Sequence, residues 1–215
     1  MSTKEIDVVR PTMRGLLHRA FALIGVPAFV TLAALANNAT TRAALVIYGV
    51  CITMMLGVSA VYHSGRVSAS AAAILKRVDH VTILFAIAGS YTAITVLALD
   101  GSPEVTLLVF VWAAAVAGAA IRMFWLHAPR PIVSSVYLVV GWSALIEIGP
   151  LWRALDVTDF VLMVTGGALY TSGAVVYALK RPNPSPAHFG FHEVFHALVV
   201  TAATVHYVLA VRLVG

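Results

Sequence analysis

Seven stretches of this chain contain no charged side chain for 16 to 23 residues apart from isolated positions at their edges, and they constrain the fold more than any other feature. The apolar cores run over Ala20–Ala36, Ala43–Gly65, Val81–Leu99, Val105–Ile121, Pro131–Ile146, Phe160–Leu179 and Val194–Val211. A helix rising about 1.5 Å per residue crosses roughly 30 Å of hydrocarbon in about 20 residues, so each core needs only its flanks to span a bilayer. The predicted spans are therefore 18–36, 43–65, 78–99, 104–126, 131–149, 159–179 and 191–213. Strands are excluded by pattern: the stretches are continuously apolar and rich in Ala and Leu, without the alternation a membrane barrel requires. The fold class is all-α, one domain over residues 1–215 built as a seven-helix membrane bundle.

Composition agrees. Of 215 residues 60% are hydrophobic and only 11% charged, against about a quarter charged in soluble domains. A wetted surface cannot be built from so few charges, which excludes a soluble enzyme, a nucleic-acid-binding domain and a disordered chain. The single cysteine, Cys51, excludes an intrachain disulfide and a cysteine-rich metal site. Connections are short. Asn37–Arg42, Asp100–Glu104 and the proline-rich Lys180–Gly190 leave no room for a second domain. Arg10, Arg14 and Arg19 ahead of the first apolar run resemble a signal peptide, but a retained first helix is the better reading, since no soluble domain follows for export.

Basic residues set the predicted orientation. An inside N-terminus puts Lys4, Arg10, Arg14, Arg19, Arg66, Lys76, Arg77, Arg122, Arg130, Lys180 and Arg181 on the cytoplasmic side, 11 of the 14. Arg42, Arg153 and Arg212 face out, and the C-terminus with them. The net charge of +5 is thus mostly topology, with some attraction to anionic lipid headgroups.

Ionisable groups inside such spans are expensive and mark candidate functional sites. That orientation brings His63 at the end of the second span, Asp79 and His80 at the start of the third, and His192, Glu193 and His196 at the start of the seventh to one membrane depth. His192 and His196 are one helical turn apart and project from one face. With His63 they make three imidazoles, the ligand set of an open zinc site. Imidazole also suits Cu, Ni and Fe. Asp79 is the candidate general base, and Ser59, one turn before His63, supports it. His80 points about 100° from Asp79 and reads as a packing residue. His206 lies about 21 Å along the axis from His192, too far to share an ion, and reads as an interhelical hydrogen-bonding group. Glu147 reads as an interfacial cap, Glu193 as a carboxylate favoured by the helix dipole, and Trp125 and Trp152 as interfacial anchors.

The segments Ser59-Ala60-Val61-Tyr62-His63, Arg77-Val78-Asp79-His80 running on to Ala88-Gly89-Ser90-Tyr91-Thr92, and His192-Glu193-Val194-Phe195-His196 resemble the hemolysin III family. That family is the bacterial branch of the progestin and adiponectin receptor superfamily. The resemblance implies seven spans, zinc held by His63, His192 and His196, a water on that metal held by Asp79, and Ser59 within the site. It also implies a multi-pass protein of the bacterial inner membrane. Three functions follow as expectations: a zinc-dependent intramembrane hydrolase of a lipid amide or ester, in line with the ceramidase-like chemistry linked to the wider group; a non-catalytic, zinc-stabilised regulator of membrane lipid homeostasis; or a pore-forming cytolysin, which the family name suggests. Membrane lipids are the expected partners and nucleic acid is not. Retinal is excluded because Lys4, Lys76 and Lys180 all lie outside the apolar cores. Nothing in the sequence sets an oligomeric state.

Overall fold

The computed structural model describes residues 11–64, 67–125 and 128–215. Eight α-helices follow one another: α1 Leu16–Ala34, α2 Ala39–Tyr62, α3 Ala69–Ala98, α4 Ser102–Phe124, α5 Arg130–Gly141, α6 Ile148–Ala154, α7 Val157–Leu179 and α8 Phe191–Val214, with a 3-10 turn at Ser143–Glu147 between α5 and α6. Seven units are long and apolar enough to cross a membrane, the fifth being the α5–turn–α6 composite over Pro131–Ala154. No strand element occurs among the described residues. Lys4, Arg10 and Arg66, which enter the orientation argument, lie outside the described residues, as does the predicted end of the fourth span at 126 and of the second at 65.

Helix ends are fixed by short polar side chains. Asn38 accepts a hydrogen bond from the Thr41 amide to cap α2, and Asp156 caps α7 through the Asp159 amide. α3 starts nine residues before the predicted span, capped by Ser68. Its extra turns hold Ala71, Ala72 and Ala73, strong helix formers, and carry Lys76 and Arg77 on the helix itself. Asp79 and His80 therefore sit well inside α3 instead of opening it. α3 packs against α2, α4, α5 and α8, and α8 in turn touches α1, α3 and α7, which makes this pair the spine of the bundle.

The fifth span differs most from expectation. A continuous helix was predicted, but Pro150 has no N–H to give the Ile146 carbonyl, and the helix gives way after Gly141. The break leaves backbone groups that lipid cannot satisfy. Tyr91 of α3 serves them both: its hydroxyl donates to the Gly141 carbonyl at 2.6 Å and accepts from the Ala144 amide at 2.8 Å. Trp142 at the break is tied to α7 by its Nε1–H, which donates to the Thr171 hydroxyl at 3.1 Å. Glu147 ends the turn but makes no capping hydrogen bond to α6, so the cap assigned to it is not formed. Trp125 and Trp152 are exposed near helix ends, where anchors belong.

Candidate metal centre

Two structural rules bring the three imidazoles together. α2 ends at Tyr62, and His63 is its last capping position, with its amide still bonded to the Ser59 carbonyl at 2.9 Å. α8 opens at Phe191, so His192 and His196 occupy its first and second turns on one face. Nε2 of His63 lies 3.1 Å from Nε2 of His192. Ring centroids of His192 and His196 are 4.3 Å apart, and those of His63 and His196 are 5.2 Å apart. One nitrogen from each of the three rings falls within a 4.8 Å group. His63 and His196 are buried, and His192 is half-buried. A tetrahedral ion with nitrogens at roughly 2.1 Å separates them by about 3.4 Å, so this donor set fits a borderline-soft divalent metal.

The supports come from the segment before α1, from α3, and from α2 and α8 themselves. Glu193, 1% exposed, accepts from the Gly190 amide through Oε2 at 2.9 Å, which closes the first turn of α8. Its other oxygen accepts from Arg14 Nε, just before α1. The dipole reading of Glu193 holds, but the ion pair was not foreseen. Backbone bonds from Thr12 to Ala187 and from Met13 to His188 lay the segment before α1 along the loop before α8. Gly15 turns that segment at φ +75°, and a Cβ there would come within 2.8 Å of the His63 Cβ. Glycine is needed both for the turn and for the approach.

Asp79, half-buried on α3, lies beside the buried Ser59 of α2. Asp79, Ser59 and the three histidines line one cavity of about 350 Å³. Asp79 is not among the nitrogen-clustered group itself. His80 is engaged elsewhere: its Nδ1 donates to the Lys76 carbonyl at 2.6 Å, and its Nε2 faces the Tyr177 hydroxyl at 3.5 Å. That is the packing role expected.

Residues 6–207 match the family described as Haemolysin-III related. The chain belongs to the haemolysin III family. It is 32% identical over 186 residues to the Hemolysin-3 homolog of Bacillus subtilis (strain 168), covering 85% of this chain and 84% of that protein. It is also 28% identical over 167 residues to Hemolysin-3 of Bacillus cereus, covering 76% of each. Membership is carried by sequence that runs through all seven apolar helices, and so it extends well beyond the histidine motifs.

In this haemolysin III chain a further histidine, absent from the sequence motifs, joins the site. His18, in the first turn of α1, stacks on His196 with ring centroids 3.7 Å apart and planes 9° from parallel. It is 3% exposed, and neither ring nitrogen has a hydrogen-bond partner. The depth argument that gathered His63 and His196 applies equally to His18, because α1 begins at the end of the bundle where α2 finishes. Its place among Arg14 and Arg19 made it look like part of a basic flank.

Proposed function

We propose that this protein is a metal-dependent intramembrane hydrolase that cleaves an amide or ester of a membrane lipid, with zinc held by His63, His192 and His196. The single observation that carries the reading is the convergence of three imidazole nitrogens, from helices more than 120 residues apart in sequence, within 4.8 Å at the wall of a mostly apolar cavity. Such a metal ion, when bound, polarises a carbonyl and brings a water toward neutral pKa. The chain does the rest. The histidine rings fix the donor directions, and His18 stacked on His196 holds one of them in plane. Asp79 is the general base: its carboxylate takes a proton from the attacking water and returns it to the departing amine or alcohol. The water oxygen bonds to the acyl carbon as the carbon–nitrogen or carbon–oxygen bond breaks. Ser59 is a positioning residue, its buried hydroxyl lying beside the Asp79 carboxylate on the same cavity wall. The apolar cavity wall seats the acyl chain and excludes water.

The positive-inside pattern supports a cytoplasmic N-terminus, a site at the cytoplasmic leaflet and residence in the bacterial inner membrane. The relatives' name, hemolysin, points to lysis instead. Among the described residues no long amphipathic helix stands apart from the seven apolar units, which disfavours a pore.

The test is the metal content of the purified protein by elemental mass spectrometry, followed by a lipid amide and ester cleavage screen. About one zinc per chain is expected, lost in His63→Ala and in His192→Ala. Asp79→Asn is expected to keep the metal and lose turnover by about 10² or more. Folded wild type without metal ends this reading, and a metal-loaded protein that cleaves nothing favours the zinc-stapled regulator.

A further inference from the structure

The cavity does not end at the histidines. It continues between α3, α4, α6, α7 and α8 to Leu107, Leu151 and Met163. Tyr91, Trp142 and Thr171 also line this half, but their polar atoms are taken up by Gly141, Ala144 and one another, and two further polar side chains stand there. One is His206 of α8, 10 residues beyond His196 and so about 15 Å further along the axis. The other is Thr95 of α3, 16 residues beyond Asp79. His206 is 9% exposed and Thr95 is 1% exposed. Both line the cavity, and both carry a buried atom with no hydrogen-bond partner among the described residues: Nδ1 of His206 and Oγ1 of Thr95.

The tautomer of His206 can be read from its one partner. Nε2 lies 3.2 Å from the Met163 carbonyl oxygen, which only accepts, so Nε2 must carry the proton. In the neutral ring Nδ1 is then a bare acceptor. The ring is held where it is: it lies flat on Gly166 of α7, where any Cβ would overlap it, and Tyr170 meets its face edge-on at 5.6 Å. It cannot swing away to find another donor. Threonine at 95 adds a hydroxyl that gives or accepts. A buried polar group left unpaired costs about as much as a lost hydrogen bond, so a pair of them on a cavity wall is informative about what fills the cavity.

We infer that the far half of this cavity is a second binding station, built to take a neutral hydroxyl carried on the distal part of the lipid's hydrocarbon chain. The hydroxyl donates to Nδ1 of His206 and pairs with the Thr95 hydroxyl. A carboxylate is disfavoured there, because its lone pairs would face the lone pair of Nδ1 and, among the described residues, no cation lines that part of the cavity. The inference rests on the hydrolase reading only for which end of the ligand lies at the imidazoles. An extended chain gains about 1.2 Å per bond. With the carbonyl at His192 or His196, about 15 to 21 Å away along α8, the hydroxyl belongs about twelve to seventeen bonds from it.

The test is binding without turnover. Affinities of the purified protein in detergent are measured for ω-hydroxy fatty acids of about twelve to eighteen carbons, each beside the unsubstituted acid of equal length and the dicarboxylic acid. Within that range the hydroxy acid is expected to bind about tenfold tighter than its plain counterpart, the gain of one good buried hydrogen bond and the relief of an unpaired group. The dicarboxylic acid should gain nothing. Thr95→Val, which keeps the side chain's shape, and His206→Asn should each shrink the hydroxy preference to about threefold or less, with the plain acid's affinity little changed. If His206→Asn does not fold, Thr95→Val alone decides. Equal binding of hydroxy and plain acids by wild type overturns the inference and assigns the two atoms to water. A preference that survives both variants also overturns it. Metal content is read on the same samples: a hydroxy preference in metal-free protein supports the station while removing the hydrolase, and cleavage with no preference does the reverse.

Discussion

The two ends of α8 are each held by an arginine–carboxylate contact, and they differ in nearly every respect that matters. At its start Glu193 is sunk in the bundle with a side chain 2% exposed, meets Arg14 from the segment before α1, and sits between two candidate ligands. At its end Arg212, 40% exposed, reaches Asp159 and Asp156 at the start of α7, and Asp156 is 60% exposed. The first contact joins segments 179 residues apart, and the second joins neighbouring helices in the chain. A contact that water can replace adds little, whereas one that water cannot reach holds a geometry or destroys it. The same interaction type therefore does architectural work at the site end and mere trimming at the other.

Arg14→Ala should give the largest effect. It strands the Glu193 carboxylate, which keeps only the Gly190 amide, and breaking one side of a buried pair costs about 3–5 kcal/mol. Because Glu193 lies between His192 and His196, the first turn of α8 should loosen with it. The expected result is a clear fall in thermal unfolding temperature in detergent together with loss of bound metal. Glu193→Gln should be milder, since the amide oxygen can still accept from Gly190. If Arg14→Ala leaves both stability and metal content unchanged, the contrast between the two ends of α8 fails.

His18 offers a sharper test at the same end. His18→Ala opens a space beside the His196 ring, and the loss of a neighbour that orients a metal ligand typically costs about 10- to 100-fold in affinity. His18→Phe keeps a flat ring in place and should recover most of that loss. Competition with a metal chelator checks both. Equal losses in the two variants would give the His18 nitrogens, and not its flat face, the role.

What the sequence revealed follows the same division. Apolar length gave all seven spans, and depth alone gathered His63, Asp79, His192 and His196, because a membrane turns sequence order into position. Contacts that depend on direction around a helix were invisible: the His18 stack, the Arg14–Glu193 pair, and the loose coupling of Asp79 to the histidines through a shared cavity. The break in the fifth span was not legible. Pro150 stands just past the predicted span and was not read as a break, and the repair by Tyr91 could not be read from either segment alone, since the hydroxyl and the orphaned backbone groups are 50 or more residues apart. The Ser90-Tyr91-Thr92 segment, noted only as a resemblance, thereby gains a physical reason: Thr92 accepts from the Trp112 indole at 3.0 Å while Tyr91 reaches the other way.

The smallest effect is expected at Arg212. Arg212→Ala removes contacts to two carboxylates, one of which, Asp159, is 9% exposed at its side chain. Asp159 lies in the first turn of α7, where the positive end of the helix dipole and free amides stabilise a carboxylate without a cation nearby. Asp156 is the cap of the same helix and keeps its bond to the Asp159 amide. Both acids are thus provided for once the arginine is gone, and the unfolding temperature should fall slightly and metal content not at all. The arginine's own contribution should also shrink as salt rises to about 1 M, where screening acts over roughly 3 Å, so the variant and wild type should converge there. The Arg14 variant should not converge, because its carboxylate is out of reach of the salt. A salt-insensitive deficit at Arg212, or a salt-sensitive one at Arg14, would mean that exposure does not separate the two ends of α8.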